Sequence, residues 1–133
     1  MTTRCRLLIN GAPGAVRDRF ENEISSGASF NISAIAIFEL QFGVAKSTYP
    51  DRNRQRLRRF LDTTMPIIEF DGDDAASAGE IRAHLSKRGM PIGPYDLLIA
   101  AQALRRKYTL ITANVREFRR IDGLKWEDWT KGR

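Results

Sequence analysis

The sequence predicts a layered α/β fold with a mostly parallel sheet. Short segments rich in β-branched and aromatic residues recur along the chain, and helical patterns separate them, often in pairs. The 133 residues are 42% apolar, which suits a domain with a substantial core. Because no repeat, linker or low-complexity tract interrupts the chain, we expect residues 1–133 to form a single domain.

The first half of the chain predicts one strand and three helices. Residues 15–24 have a polar-rich helical pattern, and residues 30–33 follow as a short strand. Ser33 is a favourable N-cap for a second helix, whose apolar residues recur at helical spacing to about residue 46. A third helix begins near Pro50 and continues to residue 61.

The second half alternates between strand and helix patterns. Gly89 suits the C-terminal cap of one helix, and Pro94 suits the first turn of the next. The predicted elements are a strand at 66–70, a helix at 73–88, a helix at 94–106, a buried strand at 108–112 and a last strand at 124–126.

Charge and residue counts narrow the classes of function. The formal charge of +6 and the pI near 10.0 favour a polyanionic partner. Cys5 is the only cysteine, which excludes a disulfide framework and a cysteine-based zinc site. His84 is the only histidine, which excludes a ribonuclease with two catalytic histidines. No secretory signal or apolar run of membrane-spanning length occurs, so we expect a cytoplasmic protein without membrane contact.

The segment Gly93-Pro94-Tyr95-Asp96 sets one carboxylate in the first turn of a helix. The helix dipole favours negative charge there, and the apolar residues that follow require burial. A carboxylate fixed at the rim of a buried helix is a good ligand for a hard metal ion. It is also an ordinary way to begin a helix, so the metal interpretation depends on whether other acids converge on Asp96.

Two further polar residues are expected near Asp96. Binding sites of open α/β sheets lie beyond the carboxyl ends of the strands, and Ser33 and Thr112 end two predicted strands. Glu39 and Asn114 follow shortly after these ends. We therefore expect Glu39, Asp96 and Asn114 to meet in one pocket.

Each neighbour of Asp96 also has a simpler interpretation. Glu39 lies in an otherwise apolar stretch, where a charge is costly unless it is paired or exposed, so it could face solvent. Asn114 could be a plain turn residue. Glu117, in a basic stretch, is expected at the surface.

Taken together, these segments resemble the PIN-domain toxin ribonucleases of the VapC type. The order and spacing of the matching stretches carry the resemblance, which extends from about residue 14 to residue 129. The stretches are 32–35, 38–40, 43–47, 79–82, 91–96, 112–118 and 126–129.

The resemblance implies a compact three-layer α/β/α sandwich and a metal-dependent endoribonuclease that uses Mg²⁺ or Mn²⁺. It assigns Asp96 and Glu39 as metal ligands and Asn114 as a third catalytic residue. Thr112 and Arg116 would orient the substrate or its phosphate. It further implies an RNA substrate such as tRNA, a VapB-type antitoxin as partner, a homodimer, and a bacterial or archaeal cytoplasm.

Basic residues are dense in two places. Five arginines between residues 52 and 59 spread around one helix and are expected to be solvated. A second set flanks the strand that ends at Thr112 and is expected to contact RNA phosphates near the pocket. This set comprises Arg105, Arg106, Lys107, Arg116, Arg119 and Arg120.

The first aspartate of the family has no counterpart here. It ends the family's first strand, and an alignment without gaps places it at Met1, which leaves no residues for that strand and implies a domain truncated at its N-terminus. An alignment with a gap uses residues 6–9 as the strand and places Asn10 at the aspartate position. We prefer the ungapped alignment, and neither supplies a carboxylate. The alternative function is therefore a catalytically crippled PIN-domain protein that binds antitoxin or RNA without cleaving.

Overall fold

A five-stranded sheet forms the centre of the computed structural model, which describes residues 29–62, 66–112 and 115–128 and the backbone of residues 6–9. The strand order is β3-β2-β1-β4-β5, and each neighbouring pair is parallel. The strands are β1 (Arg6–Ile9), β2 (Ser29–Ser33), β3 (Ile67–Ile68), β4 (Thr109–Ile111) and β5 (Trp126–Glu127). The expected parallel sheet is confirmed.

Helices connect the strands, as the alternating pattern predicts. Gly89 follows the third helix with a φ of +66°, which is the left-handed conformation expected of a C-terminal cap. The helices are α1 (Ala34–Ala45), α2 (Pro50–Leu61), α3 (Gly72–Lys87), α4 (Pro94–Arg106) and the short α5 (Val115–Phe118). Sequence reasoning did not predict α5, and the helix expected at 15–24 lies outside the described residues.

Residues 6–9 occupy the centre of the sheet. Leu8 lies opposite Asn31 on one side and opposite Leu110 on the other. The expectation that the chain has no residues for a central first strand is therefore wrong. The apolar run Leu7-Leu8-Ile9 suits a strand with neighbours on both sides. This strand is the one that the gapped alignment uses, and Asn10, which follows it, lies outside the described residues.

The core lies around α4 and the central strands. Ile99, Ala100 and Ala103 of α4 are fully buried, and Ile32 of β2 and Leu110 of β4 join them in one cluster. A helix that is buried over most of its length cannot shift without opening the core. The first turn of α4, which carries Asp96, is therefore held firmly.

Candidate functional site

The ends of β2 and β4 position the candidate site. Ser33 ends β2 and caps α1, because its Oγ accepts a hydrogen bond from the backbone N–H of Ile35 at 3.0 Å. The cap fixes where α1 begins, and so where Glu39 lies. Thr112 follows β4, is 3% exposed, and donates its backbone N–H to the carbonyl of Glu127 at 3.0 Å. The hydrogen bond between Ser33 and Ile35 confirms the predicted N-cap at Ser33.

Two carboxylates converge above Gly93. A Cβ atom built on this glycine would lie 3.7 Å from Oδ2 of Asp96 and 3.7 Å from Oε2 of Glu117. The backbone N–H of Gly93 also donates to Oε1 of Glu117 at 3.2 Å. Asp96 and Glu117 therefore share one small space at the N-terminus of α4, where the helix dipole favours negative charge.

Glu117 is the site residue that sequence reasoning placed at the surface. It is half-buried, and the Gly93 N–H orients its carboxylate. The expectation of a plain surface residue is therefore wrong. The only sequence signal for its position is the glycine at 93, since a Cβ atom there would contact both carboxylates at 3.7 Å.

Glu39 is half-buried on α1, and burial raises the pKa of its carboxyl above the usual value. Within the described residues, neither a hydrogen bond nor an ion pair compensates for this loss of water. A carboxylate in this condition is stabilised by any cation that comes near it.

Aromatic packing joins the two helices that carry Glu39 and Asp96. The rings of Phe38 and Tyr95, each one residue before an acid, lie 5.3 Å apart between centroids at an angle of 59°. Helices α1 and α4 also contact each other. Glu39 and Asp96 therefore follow directly after two residues that touch, on helices that pack together.

A series of buried hydrogen bonds also links these helices. Ser33 Oγ donates to Oε1 of Gln102, a fully buried residue of α4. The amide nitrogen of Gln102 donates to the carbonyl of Glu69 at 3.2 Å and to Oδ2 of Asp74 at 3.4 Å. The start of α1, the middle of α4 and the start of α3 are thus linked by hydrogen bonds.

Arg105 and Arg106 are the last members of this hydrogen-bonded series and do not lie at the pocket. Both donate to the buried carboxylate of Asp74, with Nε of Arg105 at 2.9 Å and Nη1 of Arg106 at 2.7 Å. They occupy the last turn of α4, about 14 to 15 Å along the helix axis from Asp96. The expectation that they contact phosphate beside Asp96 is therefore wrong, because an internal acid binds them instead.

The remaining predicted site residues have mixed outcomes. Arg116 is exposed on α5, next to Glu117, while Asn114 lies outside the described residues. Residues 29–62, 66–112 and 115–128 contain no group of three or more His, Cys, Asp or Glu with the arrangement of a metal site. Asp96 and Glu117 form a pair, which suits a hard ion that keeps several waters.

Comparisons with known proteins agree on one family. Residues 8–124 match the model of the PIN domain. The chain is 36% identical over 129 residues to the tRNA(fMet)-specific endonuclease VapC of Shigella flexneri, which covers 97% of this chain and 95% of that protein. It is 37% identical over 130 residues to ribonuclease VapC2 of Rickettsia felis, with 98% and 96% covered.

Solved structures show the same fold. VapBC2 from Rickettsia felis, bound to a DNA fragment from its promoter, superposes with a TM-score of 0.82 at 32% identity, covering 93% of this chain and 98% of that one. DNA-bound VapBC from Salmonella typhimurium gives 0.81 at 34% identity, with 94% and 98% covered. In the part of this chain that the structure describes, no helix has the length and apolar character of a membrane span.

Proposed function

Because this chain belongs to the PIN-domain family, and within it to the VapC ribonucleases, we propose that it is the toxin endoribonuclease of a VapBC-type module. Its substrate is RNA, and the names of two relatives point to tRNA as one substrate class. The convergence of Asp96 and Glu117 above Gly93 carries the proposal, because it supplies paired carboxylates at the carboxyl edge of the sheet.

The donor set fits a hard divalent cation. Asp96 and Glu117 offer carboxylate oxygens around a space that a Cβ on Gly93 would fill. Glu39 adds a half-buried carboxylate whose raised pKa reflects uncompensated burial. Oxygen ligands with few protein contacts suit Mg²⁺ or Mn²⁺. We assign Asp96 and Glu39 as metal ligands, with Glu117 beside them and Asn114 as an assisting amide.

The residues divide the work of phosphodiester hydrolysis. When bound, the cation neutralises charge on the scissile phosphate and makes a water more acidic. The N-terminus of α4 favours the negative charge of the Asp96 carboxylate. Glu39 would bind the cation or orient the attacking water, whose proton would pass to solvent. The water oxygen bonds to phosphorus in line with the leaving oxygen, whose bond breaks and which takes up a proton. Thr112 and Arg116 orient the phosphate.

Cleavage of labelled RNA with Mg²⁺, Mn²⁺ or excess EDTA tests this function. Substitution of an outer-shell residue alone lowers metal-site activity about 10- to 100-fold, so Asp96→Asn is expected to lower the rate about 100-fold or more. Asp122→Asn is the matched control, because Asp122 is 83% exposed and only pairs with Arg88 at the surface. Equal cleavage in EDTA, or full activity of Asp96→Asn, would contradict the proposal.

The partners follow from the same family membership. The solved relatives are complexes of VapB with VapC, which supports a VapB-type antitoxin as the partner of this chain. We also propose that the chain forms a homodimer and acts in a bacterial or archaeal cytoplasm. Co-purification with an antitoxin encoded beside it, followed by light scattering of the complex, tests both assemblies.

One observation favours a second candidate, a crippled PIN-domain protein that binds without cleaving. The gapped alignment, whose first strand is β1, places Asn10 at the position of the first family aspartate, so this chain has no carboxylate there. Such a protein would bind RNA or antitoxin and release no cut product at any Mg²⁺ or Mn²⁺ concentration. Metal-dependent cleavage that requires Asp96 would exclude it.

A further inference from the structure

The helix that carries Glu39 also carries a line of exposed aromatic rings. Five large apolar side chains among the described residues are markedly exposed, and four of them are aromatic. Three of these four lie together beside the candidate site. Tyr95 is 45% exposed, Phe38 52% and Phe42 59%. We define these three residues, with Lys46, as the aromatic strip.

The strip has regular geometry. Phe38 and Phe42 lie four residues apart on α1, so they share one helix face about 6 Å apart along the axis. Lys46, the C-cap residue of α1, continues the line through its contact with the Phe42 ring. Tyr95 extends the line from the first turn of α4 through its contact with Phe38. The strip therefore begins next to Asp96 and Glu39 and leads away from them.

The charge of the strip indicates the kind of ligand. The ammonium group of Lys46 lies 4.8 Å from the centroid of the Phe42 ring. The neighbouring helix α2 packs against α1 and carries exposed arginines, one of which, Arg52, lies 5.3 Å from the Tyr49 ring. Exposed rings next to cationic side chains are typical of surfaces that bind single-stranded nucleic acid.

We propose that the aromatic strip stacks the bases of single-stranded RNA that flank the cleaved bond. Unpaired bases lie on Tyr95, Phe38 and Phe42, while Lys46 and the arginines of α2 neutralise the backbone. The inference rests on the proposed function, since it assigns the bases next to the scissile phosphate. It predicts that the protein cleaves unpaired segments such as loops, because bases within a duplex are already stacked.

Fluorescence anisotropy with labelled single-stranded RNA tests the strip. The titration is made in EDTA on the Asp96→Asn protein, so that cleavage does not interfere. Phe42→Leu, which keeps an apolar side chain but removes the ring, is expected to weaken binding about 5- to 100-fold. Tyr95→Leu is expected to do the same, and Tyr95→Phe to bind nearly as well as the parent.

Two controls separate stacking from other effects. Ile67→Ala removes a comparably exposed apolar side chain from β3 and is expected to leave RNA affinity unchanged. RNA of the same sequence in duplex form is expected to bind the parent and Phe42→Leu equally. Because Phe42 is mostly exposed, circular dichroism is expected to show an unchanged fold.

The possible results distinguish this inference from the proposed function. If the parent, Phe42→Leu and Tyr95→Leu bound single-stranded RNA equally well, the base-stacking role of the strip would be overturned. The proposed nuclease function would be unaffected by that result. If Phe42→Leu or Tyr95→Leu lost a dimer in light scattering while keeping its RNA affinity, the RNA-stacking role would also be overturned. The strip would then be assigned to contact between two copies of the chain. Ring-dependent binding by a chain that cuts no RNA would support the strip and contradict the nuclease proposal.

Discussion

Replacing Asp74 by asparagine is expected to destabilise the fold strongly. The Asp74 side chain is 0% exposed and accepts five hydrogen bonds, from the Asp71 backbone, Gln102, Arg105 and twice from Arg106. Removing one partner of a buried ion pair costs about 3–5 kcal/mol. Both arginines keep some contact with water, so we expect the lower end, about 3 kcal/mol of unfolding free energy.

Urea denaturation of the parent and Asp74→Asn measures this loss. Asp73→Asn is the matched control, because Asp73 is 84% exposed and lies 4.0 Å from Arg105, so its removal is expected to cost less than about 1 kcal/mol. Equal midpoints for the two variants would refute the assignment of Asp74 as the anchor of Arg105 and Arg106.

The pH dependence gives an independent check on Asp74. Burial alone raises the pKa of its carboxyl, but hydrogen bonds from Arg106, the Asp71 backbone, Arg105 and Gln102 outweigh this and hold the pKa below the usual 3.8. The folded state therefore favours the ionised form. Its stabilisation is complete above pH 3.8 and is lost as the pH falls toward the lowered pKa, a loss that Asp74→Asn is expected to lack.

Three other substitutions are expected to separate stability from function. Gly93→Ala adds a methyl group at ordinary contact distance from Asp96 and Glu117, so unfolding free energy should change by less than about 1 kcal/mol while Mn²⁺ affinity and RNA cleavage fall several-fold. Glu39→Gln should raise Tm in EDTA at neutral pH, because the raised pKa of Glu39 means that folding disfavours its ionised form. The parent should gain the same stability as the pH falls toward 4.5, where Glu39 becomes protonated. The same substitution should lower RNA cleavage. Gln102→Leu leaves the polar partners of Gln102 unpaired and should lower the unfolding free energy in urea by about 1–3 kcal/mol. An unchanged midpoint would contradict the role of Gln102 in linking the helices.

The sequence predicted the elements whose signals are local. Ser33, Gly89 and Pro94 marked helix ends, because caps and first turns depend on a few adjacent residues. The predicted strand at 66–70 is shorter in the structure, where only Ile67–Ile68 pair with the end of β2. Edge pairing depends on a neighbouring strand, which the segment itself does not encode.

Long-range pairing limited the prediction of the site. Glu117 binds a backbone N–H 24 residues away, and no periodic pattern records that contact. Arg105 and Arg106 looked available for RNA because the acid that binds them, Asp74, lies more than 30 residues earlier in the chain. Asp96 was predictable because its helix start and its neighbours lie within one continuous segment.

Calorimetric titration with Mn²⁺ tests most directly whether Asp96 anchors a divalent cation beside Glu117 and Glu39. We predict saturable binding to the metal-free protein, loss of that binding in Asp96→Asn, and unchanged binding in the surface control Asp122→Asn. Absence of Mn²⁺ binding by the parent protein, or equal binding by the parent and Asp96→Asn, would contradict it.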